Sequence, residues 1–233
     1  MKKLIWGITL FPLIATAVAV QFLPESIPIR YNTAGEIEEW GSRYMCFMYP
    51  LEMILLTGVL EFAAYRFERA AEKGKKASRI IPRPESAKSI AAVLRRMTPW
   101  IVGIMAIMQL FMLVKFCADG KAGVANLELD ITRVYTFLQG VMFIVLGNIM
   151  PKVRRNGVVG FRVSWTLYND TTWQKSNRFA AAALIIVGVC TIVSTAFVGG
   201  IGSVLLELGY ITVMIPVILV YAKRVYDDEI HNS

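Results

Sequence analysis

Residues 179–197 read FAAAALIIVGVCTIVSTAF, a stretch of 19 residues without one charged side chain. An α-helix rises 1.5 Å per residue, so this stretch reaches about 28 Å, close to the thickness of the hydrocarbon core of a bilayer. The stretch therefore predicts a helix that crosses a membrane.

Five further apolar runs resemble it in length and composition, at residues 4–23, 44–65, 98–116, 134–150 and 204–221. Together the six runs take up about half of the 233 residues, of which 56% are apolar and 18% charged. The mean hydropathy of +0.53 lies above that of soluble proteins. We predict an all-α, polytopic membrane protein with six transmembrane helices, which largely excludes a soluble enzyme.

The basic residues predict the orientation of the chain. Of the 25 Lys and Arg residues, 20 lie at the N-terminus, in residues 66–96, in residues 152–178 or after the sixth run. Because cytoplasmic loops carry the excess of Lys and Arg, both termini are predicted inside, and the net charge of +8 mainly reflects topology. In the alternative, Ala17-Val18-Ala19 ends a cleaved signal peptide, leaving five spans and an external N-terminus.

These segments predict three domains. Residues 1–65 form a two-helix membrane unit with an external Pro-rich loop, and residues 66–97 form a basic cytoplasmic linker. Residues 98–233 form a four-helix unit that carries an inner loop, residues 148–178. Lysines at 73–76 are expected to contact anionic lipid. Direct nucleic-acid binding is not expected, because no aromatic residues alternate with these charges after the start of the linker.

The sequence contains little that predicts catalysis. The only histidine, His231, lies in the polar C-terminal tail, and Cys46, Cys117 and Cys190 lack the spacing of metal ligands. We therefore predict no catalytic residue, no metal, no cofactor and no enzymatic activity.

Two polar side chains within the spans are candidate functional residues, Glu52 and Gln139. Glu52 lies eight residues into the second run, where it would suit a proton or cation site. If the helix instead begins near Leu51, with Pro50 in its first turn, Glu52 lies at the outer surface. Gln139 and Gln109 are expected to form hydrogen bonds between helices.

The outer loop, residues 23–42, combines turn-forming residues with an anchoring aromatic residue. Its prolines block helix continuation, residues 32–35 favour a turn, and a tryptophan suits the headgroup level. Its four Glu outnumber Arg30 and the adjacent Arg43 and would attract a cationic peptide, while ordinary external-loop charge is the alternative that we favour. The loop is either a structured lid or a connector. Its candidate residues are Pro24, Pro28, Asn32, Gly35 and Trp40.

The inner loop is richer in specific residues. Pro151 ends the fourth helix, and Asn156-Gly157 turns the chain. Asn169 or Thr166 then caps a helix on which residues four apart share one face. One interpretation is a loop anchored at the interface by tryptophans, and the other is a docking surface for a cytoplasmic protein. The candidate partner-binding residues are Asn148, Pro151, Lys152, Arg154, Arg155, Asn156, Gly160, Arg162, Trp165, Trp173, Lys175 and Arg178.

The order of these residues resembles the signature of the SdpI family, whose members give immunity to the sporulation-delaying peptide toxin. The pattern consists of Asn148-x-x-Pro151-Lys152, Asn156, Gly160-Phe161-Arg162, Trp165-Thr166-Leu167, Trp173-x-Lys175 and Arg178. The outer loop is similar to a small membrane domain of unknown function that often precedes this signature. The sequence departs from the family where Val163-Ser164 replaces a Thr-Pro pair and Asn177 replaces a histidine.

The resemblance implies a multi-pass protein of the bacterial cell membrane that protects against a membrane-active peptide toxin on its outer face. It also implies recruitment of a DNA-binding autorepressor to the inner face, with Lys152, Arg154, Arg155 and Arg162 among the contact residues. A different hypothesis arises from the arrangement of the spans, which is that of a 3+3 inverted repeat. It favours a small solute or ion transporter.

Overall fold

The computed structural model describes residues 2–32, 36–72, 84–123 and 130–231, and helices dominate it. Within these residues, six helices are long and apolar enough to cross a membrane, which confirms the predicted fold class and number of spans. In chain order they are α1 (Lys2–Ala19), α2 (Met48–Glu72), α3 (Pro84–Ala122), α4 (Ile131–Ile149), α5 (Asp170–Phe197) and α6 (Gly200–His231).

Several helices extend beyond the apolar runs that predicted them. The α3 helix has 39 residues and α6 has 32, whereas the hydrocarbon core needs about 20. The apolar run marks only the part of a helix that suits lipid, and the backbone hydrogen bonds continue into charged sequence. The predicted linker is therefore helical at both ends, since residues 66–72 complete α2 and residues 84–97 begin α3. Residues 73–83, including the lysines expected to contact lipid, lie outside the described residues.

The outer loop contains a β-hairpin. Strand β1 (Ser26–Tyr31) pairs antiparallel with β2 (Ile37–Ser42), and Pro28 lies opposite Trp40. The register shifts after Pro28, as expected for a residue that has no N–H to donate to the ladder. A 3₁₀ turn, Arg43–Phe47, joins the hairpin to α2. The loop is thus a folded element, as in the structured-lid interpretation.

The helices pack mainly within the two halves of the chain. In the first half α1 contacts both α2 and α3, and in the second half α5 contacts both α4 and α6. Contacts between α3 and α4 join the halves. Two units of three helices are what an inverted repeat requires, but the equivalence of the halves stays a prediction.

Glycines bring α4 and α5 into close contact. A Cβ atom added to Gly188 would lie 2.6 Å from the carbonyl oxygen of Gly140, and one added to Gly147 would lie 2.7 Å from that of Ala181. Any larger residue would force the helices apart. This small-residue packing is typical of helices in lipid, where close van der Waals contact replaces the hydrophobic effect.

Polar side chains connect the helices of the first half. Gln109 on α3 donates hydrogen bonds to Oγ1 of Thr16 at 3.0 Å and to the carbonyl of Cys46 at 3.1 Å. The hydroxyls of Thr9 on α1 and Thr57 on α2 lie 3.1 Å apart. The prediction that Gln109 forms hydrogen bonds between helices is confirmed.

Candidate functional site

The turn of the inner loop folds around the buried side chain of Asn156. Its amide nitrogen donates hydrogen bonds to the carbonyls of Arg154 at 2.7 Å and Val159 at 3.0 Å. Its Oδ1 accepts hydrogen bonds from the N–H groups of Val158 at 2.7 Å and Val159 at 2.8 Å. An asparagine side chain offers two donors and one two-lone-pair acceptor, so these bonds use its full capacity. Asn156 thereby fixes the turn predicted at this position.

Two residues one turn apart on α5 hold the next part of the loop. Trp173 donates from Nε1 to the carbonyl of Val153 at 2.8 Å, and Oδ1 of Asn177 accepts from the N–H of Phe161 at 2.8 Å. Gly160 contacts both side chains, and its φ is +118°. A Cβ atom added to it would lie 2.7 Å from Asn177 Oδ1 and 2.9 Å from Trp173 Cη2. Space and backbone conformation both require glycine here.

A capping box begins α5. Oδ1 of Asn169 accepts the N–H of Thr172 at 2.7 Å, and Oγ1 of Thr172 accepts the N–H of Asn169 at 3.1 Å. Of the two caps predicted, Asn169 is therefore the cap. The other, Thr166, accepts the N–H of Val163 at 3.1 Å and stabilises the loop just before the helix.

Arg155 connects this capped end to the turn. Its guanidinium donates to the carbonyls of Leu167 at 3.0 Å and Tyr168 at 2.8 Å and pairs with Asp170 at 3.0 Å. A planar guanidinium can satisfy several acceptors at once, so one side chain joins two segments of the loop to α5.

The predicted partner-binding residues differ in exposure. Asn156 and Trp173 are buried and offer no surface to a partner, so their role is to hold the loop. Arg155, Gly160 and Trp165 are half-buried. The exposed residues are Asn148, Pro151, Lys152, Arg154, Arg162, Lys175 and Arg178.

A cleft of about 310 Å³, here called the inner cleft, lies where the loop meets α3 and α5. Its lining includes four cationic and two carboxylate side chains. Arg154 pairs with Glu85 from α3, and Arg155 pairs with Asp170 from α5. The lining residues are Glu85, Ser86, Pro151, Lys152, Val153, Arg154, Arg155, Asp170, Trp173, Gln174 and Arg178.

A buried polar cluster fastens the outer hairpin to the end of α3. The hydroxyl of Tyr31 donates to Oδ2 of Asp119 at 2.8 Å, and Nζ of Lys115 lies 2.7 Å from the same oxygen. Lys115 Nζ also lies 4.8 Å from the centre of the Tyr31 ring. Burial, followed by the hydrogen bond to Asp119 and its negative charge, raises the pKa of Tyr31 above its ordinary value. We call these three residues the outer latch.

Sequence reasoning missed the outer latch, although one sign was present. Lys115 and Asp119 are four residues apart, which is the spacing of an ion pair on one face of a helix. Because they lie at the end of an apolar run, we interpreted them only as ordinary charges near an external loop. The partner that makes the pair notable, Tyr31, is 88 residues away in sequence from Asp119.

The other outer-loop candidates have mixed positions. Pro28 is buried and Pro24 is half-buried, with Cγ 2.8 Å from where a Cβ of Gly120 would lie. Asn32 and Trp40 are exposed, the latter in agreement with a headgroup anchor. Gly35 lies outside the described residues.

The two intramembrane candidates do not form one site. Glu52 is exposed, four residues after the start of α2 and two after Pro50, a position that favours the interpretation with Glu52 near the outer surface. Gln139 is half-buried on α4. Within the described residues no group of three His, Cys, Asp or Glu side chains is placed to hold a metal ion.

Six apolar helices with a hairpin beyond one end and a folded loop beyond the other define a multi-pass membrane protein. Residues 152–226 match the SdpI/YfhL protein family, and residues 7–54 match a domain of unknown function, DUF1648. The predicted resemblance is confirmed for both segments. The first match begins at the inner cleft and includes most of the inner loop, α5 and most of α6.

Immunity protein SdpI of Bacillus subtilis (strain 168) is 33% identical over 72 residues, which are 31% of this chain and 35% of that protein. The chain thus matches about a third of the length of this relative. No solved structure significantly matches the chain. Together with the six helices, the relationship places the protein in the bacterial cell membrane.

Proposed function

We propose that this is an integral membrane immunity protein, which protects its cell against a membrane-active peptide toxin. The observation that carries this proposal is the SdpI/YfhL match over residues 152–226, together with the name of the B. subtilis relative. The matched segment contains Asn156, Gly160, Trp173 and Asn177, the residues that build the inner loop. The matched segment therefore spans the part of the inner loop that these residues hold in place.

The outer hairpin is the surface we propose for toxin contact. Glu38 and Glu39 are exposed on β2 and Glu25 is exposed just before β1, and of these Glu38 pairs with Arg30 at 3.0 Å. The remaining acidic charge would raise the local concentration of a cationic peptide. The outer latch joins the hairpin to α3, so a displaced hairpin would act directly on a helix that runs to the inner face.

The test of immunity is survival under challenge with a peptide toxin of the sporulation-delaying class. Sensitive cells that express the protein should survive at least about a tenfold higher toxin concentration than cells with an empty vector. Gly160→Ala should weaken protection through the inner loop, whereas Gly103→Ala, whose added Cβ meets nothing within 4 Å, should not. Equal killing with and without the wild-type protein, at verified membrane levels, would refute the proposal.

A finer proposal concerns the inner face, where the exposed side chains of Arg154, Arg162 and Lys175 would hold a DNA-binding autorepressor. In cells with the wild-type protein, expression of a reporter under the promoter of this gene should rise when toxin is added. In cells with the Arg154→Gln/Arg162→Gln/Lys175→Gln variant, its expression should stay low. Membrane insertion and toxin survival of that variant serve as controls. If the reporter rose equally in the triple Gln variant and in wild type, the recruitment proposal would be refuted, whereas the immunity proposal would still stand.

The alternative proposal is a small solute or ion transporter, and the two units of three helices support it. The position of Glu52 near the start of α2 makes the transporter the weaker proposal, because a coupling site lies near the middle of the membrane. Flux into vesicles at two pH values, with Glu52→Gln as the variant, separates the proposals. Flux that depends on Glu52 without any toxin protection would favour the transporter.

A further inference from the structure

We propose that the inner cleft binds the phosphate group of an anionic membrane lipid. The first observation is its charge. Arg154 and Arg155 are each paired with a carboxylate, whereas Lys152 and Arg178 have no ion pair within the part of the chain that the structure describes. Two cations are thus available to one phosphate, the group that Lys and Arg side chains recognise best.

The second observation is the level of the cleft along the helices. Pro151 and Lys152 line the cleft and directly follow the apolar run at residues 134–150. Glu85 and Asp170, which also line it, lie in the charged segments that precede the apolar runs of α3 and α5. The cleft therefore lies just beyond the apolar part of these helices, on the side of the headgroups. Basic pockets between helices at this level are suited to lipid headgroups, whichever face of the membrane they occupy.

The third observation is the form of the cleft. Its volume of about 310 Å³ lies at the lower end of the range for small-ligand sites, so it suits a headgroup rather than a protein segment. Trp173 forms part of its wall and is fixed by the hydrogen bond to Val153. The ion pairs of Arg154 and Arg155 fix the loop on the other side. The cations are thus held on a rigid frame.

The proposal is tested by native mass spectrometry of the full-length protein in detergent, with phosphatidylglycerol or zwitterionic phosphatidylcholine added. Wild type should retain phosphatidylglycerol in preference to phosphatidylcholine. In the Lys152→Gln/Arg178→Gln variant, the apparent Kd for phosphatidylglycerol should rise about tenfold or more, because two charge-assisted contacts are lost. The Lys152→Arg/Arg178→Lys variant, which keeps both charges, should retain most of the binding.

Lys88→Gln is the matched control, since Lys88 is exposed near the same end of α3 but lies outside the cleft. It should bind phosphatidylglycerol as wild type does, and thermal melting should verify that every variant is folded. Equal phosphatidylglycerol binding by wild type and the double Gln variant would overturn the proposal. Retention of added inorganic phosphate without phosphatidylglycerol would assign the cleft to a free anion and overturn the lipid assignment.

Discussion

Single residues decide the geometry of both polar loops. At the inner loop, Gly160 has a positive φ and lies against Trp173 and Asn177, so that no side chain fits. At the outer face, the Tyr31 hydroxyl reaches the buried carboxylate of Asp119. Each residue joins an irregular segment to a long helix. Each can be tested by a small change, which adds a methyl group at Gly160 or removes the hydroxyl of Tyr31.

Gly160→Ala should destabilise the folded protein. The added methyl group meets Asn177 and Trp173, and the left-handed backbone adds strain, so we expect a loss of about 1–3 kcal/mol. Thermal melting in detergent measures it. Gly103→Ala on α3 is the control, because its Cβ meets no neighbour and alanine favours the helix. Equal melting temperatures for the two variants would contradict the geometry of the inner loop.

Tyr31→Phe should weaken the attachment of the hairpin in a way that depends on pH. The pKa of Tyr31 is raised in the folded state, so its contribution to stability is fully present below about pH 10, the value of an unfolded tyrosine. Above that pH the unfolded state loses the proton first, and the contribution falls. The stability difference between wild type and Tyr31→Phe should therefore be constant up to about pH 10 and shrink beyond it.

Melting curves between neutral pH and about pH 11 measure this difference. Tyr44→Phe, which changes an exposed tyrosine at the same end of the molecule, corrects for general alkaline effects. A stability difference that grows with pH would show that the outer latch does not favour the protonated phenol.

At the scale of elements, the spans were predictable and the hairpin was not. An apolar run of about 20 residues reports local contact with lipid, and no distant partner is needed to recognise it. The hairpin depends on pairing between β1 and β2 and on burial against α3, and Pro28 within β1 argues against a strand. The loop residues were identified by resemblance, but their roles depend on hydrogen bonds across 16 to 20 positions, as between Asn177 and Phe161 or Trp173 and Val153.

The close contact of α4 with α5 gives a prediction for whole elements. Gly188→Val should push the helices apart, because an added Cβ would already lie 2.6 Å from the Gly140 carbonyl oxygen. We expect a loss of about 1–3 kcal/mol, seen as a lower melting temperature in detergent. Gly209→Val on α6, where an added Cβ meets no neighbour within 4 Å, should cost much less. A similar loss in both variants would mean that the glycine contact is not required.

At the scale of the whole molecule, the distribution of basic residues predicts the inner loop in the cytoplasm and the hairpin outside. Single cysteines at the exposed positions Glu39 and Ser164 test this in a background without the native cysteines. A membrane-impermeant thiol reagent should label Glu39→Cys in intact cells and Ser164→Cys only after permeabilisation. Labelling of Ser164→Cys in intact cells would reverse the orientation and exchange the faces assigned to toxin and autorepressor.

The amide of Asn177 has one further consequence for the whole molecule. Its Oδ1 accepts a hydrogen bond from the N–H of Phe161, and its Nδ2 donates to the carbonyl of Trp173 at 3.0 Å. An amide neither gains nor loses a proton near neutral pH. A histidine here, as in the resembling family, could serve both partners only as one neutral tautomer, and acid would remove its acceptor. In this protein the contact of Asn177 with Phe161 and Trp173 therefore contains no group whose charge changes between acidified and neutral surroundings.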